Sequence, residues 1–158
     1  GVVHRDLKPE NVILTPPHAR AVLLDFGLAR PAGAPRHDDE IEITRGGTVV
    51  GTPEYMAPEQ LRAEADLDER ADLYAFGAIL FELLTLRPPF VGDTGAVEHG
   101  HLTLRPPRPG ELAPVPEALE ELVLSCLAKD PGRRPPSAAR LRRALDEACA
   151  LGAAAAAE

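Results

Sequence analysis

The chain has 158 residues, 44% of them hydrophobic, and a formal net charge of -8. That length allows one modest domain with a core of ordinary size. The acidic balance argues against a nucleic-acid or anionic-membrane partner, because both are gripped by an excess of Lys and Arg on one face. Its two cysteines, Cys126 and Cys149, are too few for a disulfide framework and read as small buried side chains in a reducing cytoplasm.

The opening Gly1-Val2-Val3-His4-Arg5-Asp6 is too charged for a secretory signal. Val12 to Thr15 and Ala21 to Leu24 are short β-prone runs joined by Pro16-Pro17-His18-Ala19-Arg20, which predicts a small hairpin. From Leu28 to Val50 periodicity vanishes, predicting a long loop. Its acidic run His37-Asp38-Asp39-Glu40 reads as a solvated face, since no second ligand pair stands at metal-binding spacing. Ala57 to Arg62 predicts a short helix. Asp68-Glu69 opens a strongly apolar helix to Leu84, stopped by Arg87-Pro88-Pro89 and apolar on nearly every side, as a buried central helix is. Including Glu82, it is too short and too polar to span a membrane. Further helices are expected at about Thr94 to Leu102, Glu117 to Ala128 and Ser137 to Leu151, with Ser137 as the N-cap of the last. The fold class is therefore mainly α with a short β-hairpin.

Three polar runs point to chemistry: His4-Arg5-Asp6-Leu7-Lys8-Pro9-Glu10-Asn11, then Asp25-Phe26-Gly27, then Gly51-Thr52-Pro53-Glu54-Tyr55-Met56-Ala57-Pro58-Glu59. Singly, an Asp or Asn in a loop is a solvated turn residue. Together, in this order and at these separations, they supply what phosphoryl transfer from a magnesium-bound nucleotide asks of a protein, positioning and charge neutralisation.

The three runs resemble the C-terminal lobe of a serine/threonine protein kinase, of the eukaryotic-like type found in bacteria. The resemblance covers about residues 1–150 as a partial kinase domain, leaving 151–158 as a low-complexity tail. It implies ATP and Mg²⁺ as cofactors and protein substrates with Ser or Thr acceptors. Asp6 would accept or orient the proton of the attacking hydroxyl, and Lys8 would reach the γ-phosphate. Asn11 and Asp25 would hold the metal, and Ile13 would floor the adenine. Lys8 and Thr52 are those of Ser/Thr-directed members, with the Thr52 hydroxyl expected to bond both Asp6 and Lys8. Arg5 implies regulation by phosphorylation of the loop, at Thr48 first and Thr44 second. His4 and Phe26 would stack in the core, Asp72 would accept backbone N–H groups of the catalytic loop, and Glu59 would pair with Arg134.

The family's glycine-rich loop, its Val-Ala-x-Lys strand and the rest of its N-terminal lobe are missing from this sequence. The chain alone is therefore expected to be inactive, with an N-terminal lobe required as partner. The missing neighbour is expected to expose a flank of the central helix at Leu73, Phe76, Leu80 and Leu84, leaving the fragment poorly soluble. A non-catalytic pseudokinase-like interaction module is the alternative, and a small-molecule phosphotransferase of related fold a third.

Overall fold

The computed structural model describes residues 2–17, 20–26, 30–31 and 52–155. Thr44, Thr48, Gly27 and the acidic run at 37–40 lie outside these residues. Strand β1 (Val2–Val3) pairs antiparallel with β4 (Arg30–Pro31), and β2 (Val12–Thr15) with β3 (Arg20–Leu23), Ile13 standing opposite Val22. Among the described residues five α-helices follow: α1 (Pro58–Leu61), α2 (Glu69–Thr85), α3 (Thr94–Thr103), α4 (Glu117–Cys126) and α5 (Ala138–Ala155). Short 3₁₀ turns occupy Pro9–Asn11, Pro53–Tyr55, Pro109–Glu111 and Pro131–Arg133. The fold is mainly α with a short β-hairpin.

Helix α2 starts where a carboxylate can satisfy its first free donors: the Asp68 side chain accepts the Arg70 N–H at 2.8 Å. It ends at Leu86, whose left-handed backbone (φ 61°) turns the chain out of the helix while its N–H still reaches the Glu82 carbonyl. Between these caps, Ala71, Tyr74, Ala75, Ala78 and Phe81 form the main core with Tyr55, Ala57, Val123 and Leu127. Small residues on α2 let α4 approach closely: a Cβ added at Gly77 would lie 2.5 Å from the Cys126 Cβ. A second cluster joins Leu73 to Leu122, Cys126 and Leu141.

This packing corrects the expected exposed flank. Leu73 is buried by α4 and α5, while Phe76, Leu80 and Leu84 are partly buried against the two clusters. The exposed apolar residues of this helix region are Leu83 and Leu86, joined elsewhere by Val2, Ile13, Leu14, Leu23, Leu24 and Phe26 at the hairpin end. Cys149 is also a correction: it is exposed on α5, whereas Cys126 is buried and its thiol pushed up to about 12 by burial. The last helix runs on to Ala155, past the expected end at Leu151, because the alanine run has the highest intrinsic helix propensity. Ser137 caps it, its Oγ accepting the Arg140 N–H at 3.3 Å.

Candidate active site

The loop between β1 and β2 is held on the middle of the core. Asp72, on the first turn of α2, accepts the backbone N–H of His4 at 2.7 Å through Oδ2 and that of Arg5 at 2.9 Å through Oδ1. Burial raises the Asp72 carboxyl above the usual carboxylate range, against the pull of those two N–H groups in the other direction. From the other side, Gln60 on α1 donates through Nε2 to the Arg5 carbonyl at 2.7 Å, while its Oε1 accepts the Ala57 N–H at 3.1 Å. One amide thus ties the Ala57-Pro58-Glu59 segment to the loop. Sequence reading missed Gln60, whose role depends on a contact across 55 positions and has no local signature.

His4 joins the loop to the segment carrying Asp25. Its Nε2 lies 2.9 Å from the Leu24 carbonyl, an acceptor, so that nitrogen carries the proton. Its ring meets Phe26 at a centroid distance of 5.0 Å, tilted by 59° rather than stacked flat, and Phe26 is 57% exposed. The Leu24 N–H also donates to the Asn11 carbonyl at 2.8 Å, so the end of β3 is fastened beside Asn11. Asp25 follows at once, exposed and with a left-handed backbone (φ 56°) that costs a non-glycine residue of order 1 kcal/mol.

Asp6, Lys8 and Asn11 meet directly. The Lys8 ammonium stands 3.0 Å from Asp6 Oδ2, and Asn11 Nδ2 donates to the Asp6 carbonyl at 2.7 Å and to Oδ2 at 3.1 Å. Both Asn11 contacts are acceptors, which fixes the orientation of a nearly buried amide and leaves Oδ1 as its remaining donor atom for a cation. Lys8 and Asp6 are each about a fifth exposed, so this ion pair is neither sealed from water nor fully screened.

A small cleft opens beside this group, lined by Asp6, Lys8, Thr52, Tyr55, Met56 and Gln60. Thr52 therefore faces the same cleft as Asp6 and Lys8, but its hydroxyl makes no hydrogen bond to either among the described residues. Asp6 Oδ2 is already engaged by Lys8 and Asn11, and Thr52 sits in extended conformation ahead of the 3₁₀ turn it introduces. Tyr55 in that turn donates its hydroxyl to Glu82 at 2.6 Å. Ile13 lies on the hairpin, 46% exposed.

Behind the cleft, Glu59 and Arg134 form a two-pronged pair: Nη1 to Oε1 at 2.5 Å and Nη2 to Oε2 at 2.8 Å, with both side chains buried. The same guanidinium donates to the carbonyls of Ala128, Arg70 and Lys129 and lies 4.8 Å from the Tyr74 ring centre. A further buried polar group joins α2, α3 and the segment after α4, again without any sequence signal. The Lys129 ammonium donates to Tyr74 Oη at 3.3 Å and to the Gly100 carbonyl at 2.8 Å, and Tyr74 Oη lies 2.8 Å from His101 Nδ1. Because Tyr74 accepts from Lys129, its own proton goes to Nδ1, and neutral His101 carries its proton on Nε2. Burial, reinforced by the Lys129 charge, lowers the His101 imidazole to about 4, and burial also lowers the Lys129 ammonium to about 8.

No helix among the described residues is long and apolar enough to cross a membrane. Comparison with known proteins identifies the family. The chain is 42% identical over 154 residues to a probable serine/threonine-protein kinase of Streptomyces coelicolor, covering 96% of this chain and 22% of that protein. It is 43% identical over 145 residues to the serine/threonine-protein kinase pkn3 of Myxococcus xanthus, covering 87% and 26% respectively. It is 40% identical over 144 residues to the serine/threonine-protein kinase PknB of Mycolicibacterium smegmatis, covering 90% and 22%. The chain thus spans about a quarter or less of the length of these curated relatives. The family model for the protein kinase domain matches residues 1–145, and the chain belongs to that family.

Proposed function

We propose that this chain is the catalytic-loop half of a cytoplasmic serine/threonine protein kinase, residues 1–150 forming its C-terminal lobe and transferring the γ-phosphate of ATP to Ser or Thr hydroxyls of proteins. The observation that carries the reading is the convergence of Lys8 and Asn11 on one carboxylate oxygen of Asp6, at the mouth of a cleft shared with Thr52. A carboxylate so held can take or orient the proton of a hydroxyl entering the cleft, and the Lys8 ammonium beside it offsets negative charge on a transferring phosphoryl group. The start of the loop that carries both side chains is held by backbone bonds to Asp72 and Gln60.

The oxygen of Asn11 and the carboxylate of Asp25 are the residues that would hold Mg²⁺. Hard oxygen donors suit that ion, which takes one or two protein side chains and fills its remaining positions with water and phosphate oxygens. Mg²⁺, when bound, neutralises charge on the phosphates. The exposed apolar surface at Ile13 is suited to an adenine ring, and Arg5 to pairing with a phosphate on Thr48 or Thr44. Thr52 and Lys8 support Ser or Thr rather than Tyr as the acceptor.

The test is Mg-ATP-dependent labelling of a Ser/Thr-containing protein by the full-length gene product. Asp6→Asn and Asp25→Asn should each lower kcat about a hundredfold or more, with the fold unchanged by circular dichroism. Full activity in Asp25→Asn would refute the metal assignment, and full activity in both would refute the site.

A further inference from the structure

Far along the chain from the cleft, helix α5 carries a second feature. Its inner face, with Leu141 and Ala148 buried and Leu145 partly buried, packs toward α4. Helical geometry places Arg140, Arg143, Ala144 and Glu147 on one adjoining face, because residues three and four apart are neighbours on a helix. This face, with Arg133 from the 3₁₀ turn before it, borders a groove of ≈ 530 Å³. Leu122, Pro135 and Pro136 supply its apolar lining.

Arg133, Arg140 and Arg143 are exposed, and none has an ion pair among the described residues. By contrast, Arg62, Arg70, Arg108, Arg134 and Arg142 each stand within 4.0 Å of a carboxylate. In a chain of net charge -8, three unpaired guanidinium groups facing one carboxylate, Glu147, make a local reversal of sign. Arg134 also reaches the groove wall, but its charge is spent on Glu59.

We propose that this groove docks an acidic segment of a protein substrate, holding it at a distance from the phosphate-accepting hydroxyl. This rests on the kinase reading above and adds to it a substrate class: proteins with alternating carboxylate and apolar side chains. Carboxylates match the planar forks of the arginines, and the proline and leucine lining accepts the apolar positions between them. A nucleic acid fits less well. A continuous strand would run on past the groove across the rest of a chain of net charge -8, whereas a short peptide can be held beside the three arginines.

The experiment uses the full-length gene product, a short fluorescent Glu/Leu peptide, a Lys/Leu peptide and a short oligothymidylate. The Glu/Leu peptide should bind in low salt, and Arg140→Glu/Arg143→Glu or the separate Arg133→Glu should weaken binding about tenfold, as should high salt. In parallel, fusing the same acidic segment to a Ser/Thr substrate should lower its KM while leaving kcat unchanged, an advantage that disappears in the double variant. Equal peptide binding by wild type and variants, absence of binding, or tighter binding of the Lys/Leu peptide or the oligothymidylate each overturns the proposal. Phosphorylation of the unfused substrate is scored separately: its absence beside arginine-dependent binding sinks the kinase reading, and its presence beside arginine-independent binding sinks the groove.

Discussion

Acid should unfold this domain partly through His101. In the folded state its Nδ1 accepts from the Tyr74 hydroxyl, which is itself engaged by the Lys129 ammonium, and its side chain is fully buried against Phe90. Burial disfavours a second ring proton, which would also add a charge beside Lys129, so the folded imidazole titrates at about 4 instead of 6.5. The unfolded chain takes up that proton first as pH falls. Stability from this group is therefore complete above about 6.5 and is lost as pH falls toward 4, by about 3 kcal/mol in total and about 2 kcal/mol by about pH 5. The perturbation is His101→Gln, which keeps a hydrogen-bonding side chain of similar size and removes the titration. It should lower stability at neutral pH, because an amide packs less well than the ring against Phe90 and Tyr74. Yet its stability should fall less between pH 7.5 and 5 than the wild type's, by about 2 kcal/mol. Urea unfolding of both proteins at each pH, followed by circular dichroism, measures the difference. Parallel pH dependences would refute the reasoning and point to other groups as the source of acid sensitivity.

Three further outcomes follow from the packing. Glu59→Gln should destabilise by about 3 kcal/mol or more, because it leaves a buried guanidinium without its counter-charge; Arg134→Met should cost more still, since three backbone carbonyls lose their donor as well, and a urea midpoint series that reverses this order would refute it. Gly77→Ala sets a helix-propensity gain of up to about 1 kcal/mol against an overpacking cost of about 1–3 kcal/mol. With the new methyl 2.5 Å from the Cys126 Cβ, the cost wins and the melting temperature falls. Gln60→Leu should cost about 1–3 kcal/mol, because the Ala57 N–H and the Arg5 carbonyl are left without their hydrogen-bond partner, and on the proposed kinase reading it should slow phosphoryl transfer by the full-length gene product severalfold; a kcat of that product equal to wild type in a stably folded variant would show that the amide does not position the loop.

How much of this was legible in the sequence depended on the span of the contacts. Helix α2 could be bounded because its signals are local: a capping Asp68 at one end and Arg87-Pro88-Pro89 at the other. The pairing of Val2–Val3 with Arg30–Pro31 could not, since two-residue strands carry no periodicity. Asp6, Lys8 and Asn11 lie within six positions of one another, so their meeting could be read from a short motif. The Tyr74, His101 and Lys129 group is assembled from three elements and leaves no local pattern. Leu73 was misjudged for a related reason: its covering residues, Leu122 and Leu141, come from helices some fifty and seventy positions on. The proposed domain limit at residue 150 falls inside α5, where composition changes but the helix does not.

Arg5 adopts a left-handed backbone, φ 69°, a conformation that glycine or asparagine takes at less cost. The bonds that Asp72 and Gln60 make to it use its amide and its carbonyl, atoms that every residue but proline possesses. These two bonds therefore do not themselves require an arginine at position 5, and local conformation would favour a smaller residue there. Arg5→Asn or Arg5→Gly would remove the guanidinium while leaving the amide and carbonyl that Asp72 and Gln60 hold.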